Sequence, residues 1–309
     1  MSKDALTRPA ERTRTVTRLT HAANRAASLE LVKDFSLEMT GKDVPGLIEA
    51  KEHIPLGTRI NVTFLGNEDL EMRVAAAKAV RDLGFVPVPH VSARRLKSAQ
   101  QLEEFLGRLQ EVGATEHVFA VGGDPATPEG PYEDSLALIG SGLLQKFGVR
   151  EVSIGGYPEG HPDIPEGKLW RALEDKSAAL AGQGLDGVIL TQFAFDTQPV
   201  ADWIDAVRNR GIDAPIRVGT PGPAGIKRLL GFARRFGVGA NAMIVKKYGF
   251  SLTNLVGVAG PDRFVNDLAA ELAAEPADRQ MGRVGLHFYT FGGLLATADW
   301  AQRFVAGQD

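Results

Sequence analysis

The chain has 309 residues, 35 Lys and Arg against 38 Asp and Glu, and a formal charge of −3. That length can bury a large core in one domain, and there is no basic excess to track a nucleic-acid backbone. Cysteine is absent, which removes disulfides, thiolate nucleophiles and thiolate metal ligands together, and no run approaches the roughly 18 apolar residues of a membrane span.

Residues 1–10 read as a polar leader without the apolar core of a signal peptide, so a cytoplasmic protein is expected. Residues 11–33 read as one amphipathic helix, with Val16, Leu19, Ala23, Ala26, Leu29 and Val32 at spacings of three or four. Arg12, Arg14, Arg18 and Arg25 give it a basic surface, read as the solvated face of a helix that closes a barrel floor.

From residue 35 onward strands and helices alternate. The strand runs are FSLEM (35–39), RINVTF (59–64), FVPVPH (85–90), HVFAV (117–121), VSIGGY (152–157), GVILTQF (187–193), IRVGT (216–220) and VGLHFYT (284–290). Helices are expected at 43–53, 67–83, 97–112, 133–147, 167–182, 198–210 and 223–236, with Gly84, Gly113, Gly148 and Gly211 at helix ends. The long gap before the eighth strand must hold extra helices, near 239–248 and 261–274. Eight strands so spaced predict a (β/α)8 TIM barrel filling 34–309 as one catalytic domain, with the active site at the C-terminal strand ends.

Seven polar residues mark those ends: Glu38, Thr63, His90, Asp124, His161, Gln192 and Tyr289. Buried in a barrel mouth, Glu38 would have a raised pKa suited to general-acid work; at an exposed loop it is a solvated charge. Asp124 follows Gly122 and Gly123 in VGGDPATPEG, a loop that either approaches a ligand closely or is a capped turn. It is neither a Walker loop nor a GxGxxG fingerprint. YPEGHPD (157–163) joins Tyr157, Glu159, His161 and Asp163. Its prolines argue against a metal site and leave a ligand loop or a rigid turn. Gln192 offers an amide that can read a heterocycle, or cap a loop. IRVGT shows no reactive group, and HFYT reads equally as an aromatic core strand. No GxSxG nucleophile elbow is present.

In this order the segments resemble methylenetetrahydrofolate reductases of the short bacterial type, from about Phe35 to Thr290, with YPEGHPD the most specific match. The resemblance implies FAD across the barrel mouth, reduced by NADH or NADPH and then reoxidised by 5,10-methylenetetrahydrofolate in ping-pong fashion. It implies Glu38 as the acid, and Asp124 and Gln192 as residues that orient the pterin. Thr63, His90, Gly123, Asp124, Tyr157, His161 and Lys176 would be flavin contacts, and Gln192, Phe232 and Tyr289 folate contacts. Departures are Gly122 and Gly293 where many relatives carry arginines, Arg228 where glutamine is usual, and Lys176 about one helical turn from the expected place. Two alternatives stay open. One is a flavin-free reductase passing hydride from NADH; the other is a tetrahydrofolate-binding methyltransferase or methyl-carrier barrel. The implied partners are small molecules, with neither nucleic acid nor membrane, and homo-oligomerisation is left open.

Overall fold

A computed structural model describes residues 22–64, 68–235, 258–274 and 282–307. Eight parallel strands close into a barrel: β1 (Ser36–Met39), β2 (Arg59–Val62), β3 (Val86–Ser92), β4 (His117–Val121), β5 (Glu151–Gly156), β6 (Asp186–Phe193), β7 (Ile216–Pro221) and β8 (Val284–Tyr289). Neighbours in sequence are neighbours in the sheet, and β8 closes on β1 with Ser36 opposite His287. The (β/α)8 barrel expected from the strand spacing is present.

Side chains alternate across each strand. Leu37, Met39, Ile60, Val62, Val118, Ala120, Val152, Ile154, Leu286 and Phe288 belong to one continuous buried apolar core with the helices. The intervening residues fill the barrel in layers. Ion pairs occupy the floor: Arg59 Nη2 lies 3.1 Å from Glu151 Oε2, His117 Nδ1 3.1 Å from Glu151 Oε1, and Arg217 Nη2 2.8 Å from Asp34. Above them Val88, Phe119 and Leu190 form a separate apolar waist against which Tyr289 packs.

Helix α1 (22–33) leads into β1; the expected turns 11–21 lie outside the described residues. Ser28 Oγ donates to Asn266 Oδ1 at 2.8 Å, and the Arg25 guanidinium lies 4.6 Å over the Phe304 ring. Part of the basic face is therefore used in docking rather than solvated. Between the strands come α2 (Val44–Ala50), α3 (Leu70–Asp82), α4 (Ala99–Glu111), α5 (Ser135–Ile139), α6 (Leu143–Lys146), α7 (Glu166–Gly182), α8 (Thr197–Asn209) and α9 (Ile226–Arg235). The single helix expected at 133–147 is split, because Gly142 takes φ 71° and ends continuity between α5 and α6. In the long β7–β8 connection Ala224–Gly225 pairs antiparallel with Val258–Ala259. Helix α10 (Asp262–Ala274) follows as expected, while the proposed 239–248 helix lies outside the described residues. A helix that the strand pattern did not announce, α11 (Leu294–Ala306), completes the ring with Leu294, Ala298, Ala301 and Phe304 buried.

Burial raises the pKa of Glu151, but hydrogen bonding from His117 and the charges of Arg59, His117 and Arg217 outweigh it and bring the carboxyl below its usual value. A depressed carboxyl contributes stability above the ordinary carboxylate range and loses it as pH falls through that range. Glu151→Gln should therefore destabilise the fold by about 1–3 kcal/mol at pH 7, with the deficit shrinking toward pH 4. Urea unfolding at both pH values checks this; a pH-independent deficit would remove the ionic role.

Candidate active site at the barrel mouth

Glu38 sits one residue before the end of β1, with its side chain 21% exposed and so reachable from the mouth. Its carbonyl accepts from Thr290 Oγ1 at 2.7 Å, which locks the ends of β1 and β8 together. Burial raises its pKa to about 7, with His90 opposing and Asp43 adding to the rise. His287 Nε2 lies 3.8 Å from Glu38 Oε2.

His90 is inside the barrel rather than at a strand end, because β3 runs on to Ser92 in register with Val121. Its ring meets Phe119 edge-on at 4.7 Å, and burial pushes it down to about 4, so it is neutral at physiological pH. Its Nε2 and Asn61 Nδ2 are buried polar atoms without hydrogen-bond partners. Tyr289 shares the interior face of β8 with His287, ring centroids 4.8 Å apart. Its hydroxyl donates to the Thr191 carbonyl at 3.0 Å. Gly219 makes that possible, since a Cβ there would stand 2.5 Å from Thr191 O and 2.7 Å from the Tyr289 ring. The run without reactive groups thus contributes empty space. Glu38, His90, His287 and Tyr289 form one group, its two imidazoles buried and Glu38 and Tyr289 partly exposed.

The remaining expected residues lie around it. Thr63 is at the rim, its hydroxyl donating to the Met39 carbonyl at 3.2 Å. Gln192 occupies the irregular end of β6, where pairing with β7 shifts between Leu190 and Phe193, and its Oε1 accepts from Phe193 N at 3.1 Å. Gly123 takes φ 95° and packs so closely on Ser92 that a Cβ would lie 2.3 Å from Ser92 Oγ. Asp124 is 76% exposed and held by Arg95 through two hydrogen bonds of 2.7 and 2.6 Å. Tyr157 folds back over Gly155 and meets His161 edge-on at 5.5 Å. His161 Nδ1 accepts from Asp163 N at 3.1 Å, so YPEGHPD is a self-braced turn. Among the described residues no cluster of His and carboxylates could hold a metal. Lys176 on α7 is only 7% exposed, and burial, opposed by Asp134, lowers its amine to about 8. Phe232 lies on α9, its side chain outside those described.

A cavity of about 320 Å³ lies beside Tyr157, lined by Gly156, Glu159, Trp170, Leu173 and Trp203 among others. Neither Glu38, His90, Gln192 nor Tyr289 borders it, so it flanks that group rather than enclosing it.

Residues 28–299 match the sequence pattern of the family described as methylenetetrahydrofolate reductase. The chain belongs to the methylenetetrahydrofolate reductase family. It is 28% identical over 228 residues to methylenetetrahydrofolate reductase 2 of Saccharomyces cerevisiae, covering 70% of this chain and 36% of that protein. Over 177 residues it is 28% identical to 5,10-methylenetetrahydrofolate reductase of Pectobacterium carotovorum, 56% of this chain and 57% of the relative. With methylenetetrahydrofolate reductase (NADH) 1 of Zea mays it shares 32% identity over 136 residues, 40% of this chain and 22% of the maize protein. The chain thus spans about a third of the length of the yeast relative and just over half that of the bacterial one.

Four features of this family member escape the strand-end pattern: His287, Asn61, Arg95 and Phe291. The first two lie inside strands and carry no end signal; alternation from Tyr289 and Glu38's neighbour β2 would have located them. Phe291 is a non-glycine residue at φ 50°, a conformation costing roughly 1 kcal/mol or more. It lies 5.7 Å from the Phe193 ring and stacks on Tyr289 at 6.2 Å.

Burial of Glu38 predicts a carboxyl titrating near pH 7. Carboxyl-carbon NMR of glutamate-labelled protein should show that resonance in the native chain and lose it in Glu38→Gln. Titration of Glu38 in the ordinary carboxylate range would contradict the burial argument.

Proposed function

We propose that this protein reduces 5,10-methylenetetrahydrofolate to 5-methyltetrahydrofolate with a hydride from NADH or NADPH. The observation that carries the proposal is Glu38, a carboxyl near half-protonation at neutral pH and open to the barrel mouth. The methylene bridge between N5 and N10 must open before its carbon can accept hydride. A proton from Glu38 to N10 opens it, leaving a cationic N5 iminium and the Glu38 carboxylate. Hydride then makes the methyl group, and solvent reprotonates Glu38 for the next cycle. His90, neutral, adds no competing positive charge beside the iminium. Gln192 reads the pterin edge once it exchanges its local bond to Phe193 N for the substrate. Tyr289, Phe193 and Phe291 give an aromatic wall against which the flat pterin packs.

FAD, when bound, would carry the hydride from the nicotinamide to the folate. The residues present suit it. His90 Nε2 and Asn61 Nδ2 are buried without partners and match the polar edge of a flavin ring. Lys176 offers a buried amine for a phosphate, and Thr63, Gly123, Asp124, Tyr157 and His161 follow the ends of β2, β4 and β5. A second reading, direct transfer from NADH to the folate, is favoured by the phosphate end of that site. Gly122 opens onto empty space where the resemblance implies an arginine, and Arg95 is engaged by Asp124.

Glu38→Gln should lower the rate of methylenetetrahydrofolate reduction at least about 10²-fold without changing the thermal midpoint appreciably. In the native enzyme the rate should fall as pH rises through about 7, because the acid must be protonated. Steady-state assays of 5-methyltetrahydrofolate formation decide; a variant at near-native rate would return Glu38 to a structural role.

Gln192→Ala should raise KM for the folate more than for the nicotinamide, by about 1–3 kcal/mol of lost binding. Equal losses for both substrates would refute pterin recognition. The absorbance spectrum of protein from a flavin-replete culture separates the two hydride routes: yellow protein supports FAD, and colourless, active protein that binds no added FAD establishes direct transfer.

A further inference from the structure

We propose that His287 is a positioning residue for the acid, holding the Glu38 carboxyl through a Ser36–His287–Glu38 chain inside the barrel. The inference rests on the reading of Glu38 as the proton donor. His287 is fully buried at 0% exposure, and both ring nitrogens face β1 residues. Nδ1 lies 2.9 Å from Ser36 Oγ, and Nε2 lies 3.8 Å from Glu38 Oε2. Ser36 and Glu38 are two apart on β1 and therefore on one face, so a single ring spans both.

The Ser36 hydroxyl has one proton and two acceptors in reach: Nδ1 at 2.9 Å and the Leu286 carbonyl at 3.4 Å. We assign that proton to the shorter contact, because the other tautomer would aim the bare Nε2 lone pair at Glu38 whenever that group is ionised. Nδ1 is then the acceptor, and Nε2 carries the N–H that faces Glu38. Nε2 has no hydrogen-bond partner and lies 3.8 Å from Oε2, a small side-chain adjustment from hydrogen-bond length. Burial, then the charge of Arg217 from β7, lowers the ring's pKa to about 3, so it acts as a neutral donor and not as a second acid. The other groups facing this pair are accounted for. His90 on β3 is neutral, Asp43 after β1 is bound by Thr40 N and Oγ1 at 2.8 Å each, and the Tyr289 hydroxyl goes to Thr191. An N–H fixed on Oε2 leaves Oε1 as the oxygen that bears the proton toward the mouth. The same N–H stabilises the carboxylate once that proton has passed to N10.

The test compares kcat against pH for His287→Leu, His287→Gln and Ser36→Ala, with Glu38→Gln as control. Losing a donor to the carboxylate raises the Glu38 pKa. In His287→Leu the high-pH limb should therefore move up by about half to one pH unit while kcat falls about tenfold. The glutamine amide, whose nitrogen occupies the Nε2 position, should restore most of both. Ser36→Ala should shift the limb in the same sense by less. A folded His287→Leu with native limb position and rate overturns the proposal, and if that variant does not fold, an unshifted Ser36→Ala does so. If Glu38→Gln itself keeps the rate and the limb, the acid assignment has failed; if only the His287 and Ser36 variants are silent, the acid stands and the positioning role is gone.

Discussion

Withdrawal of a carboxyl group from water dominates the electrostatics of this barrel, and the protein meets it in two opposite ways. At the floor, Glu151 is surrounded by Arg59, His117 and Arg217 and is held ionised. At the mouth, Glu38 has no arginine or lysine against it, so desolvation, opposed only in part by His90 and reinforced by Asp43, lifts it to about 7. One fold therefore gives one carboxylate that ties strands together and another that exchanges protons at physiological pH. The difference lies in where cations are allowed. Burial keeps the His287 imidazole neutral, and Arg217, placed near it rather than beside Glu38, adds to that without ionising the acid.

Steric economy shapes the rest of the mouth. Gly219 omits a side chain so that Tyr289 can reach the Thr191 carbonyl, and the shifted pairing at the end of β6 turns Gln192 into its own local bond with Phe193 N. Gly123 presses the β4 loop onto Ser92, while Arg95 clamps Asp124 from the turn after β3. Phe291 accepts an unfavourable backbone conformation and in return extends the aromatic wall made by Phe193 and Tyr289. Buried polar atoms without partners at His90, Asn61 and His287 are the complement of that wall: donors and acceptors that a bound heterocycle or the approaching acid can satisfy.

Strand positions were legible because parallel barrel strands are short apolar runs at regular spacing, and the terminal glycines, such as Gly84 at φ 87°, do mark helix ends. What failed needed tertiary knowledge. His90 looked like the end of a strand because the proline-rich run stops there, yet pairing with β4 carries β3 two residues further and buries the ring. A helix over 133–147 satisfied apolar spacing, but Gly140, Ser141 and Gly142 break it. His287 was hidden inside an aromatic strand, and only alternation with Tyr289 could have turned it inward. The Asp124–Arg95 clamp joins positions 29 apart and has no local signature.

The proposed reaction depends on a folate lying over the barrel mouth with N10 against Glu38. A structure determined with 5-methyltetrahydrofolate bound tests this most directly. The expected result is a pterin packed on Tyr289 and edged by Gln192, with N10 within about 3.5 Å of a Glu38 carboxyl oxygen. A folate held elsewhere, or bound with N10 turned away from Glu38, would contradict the account.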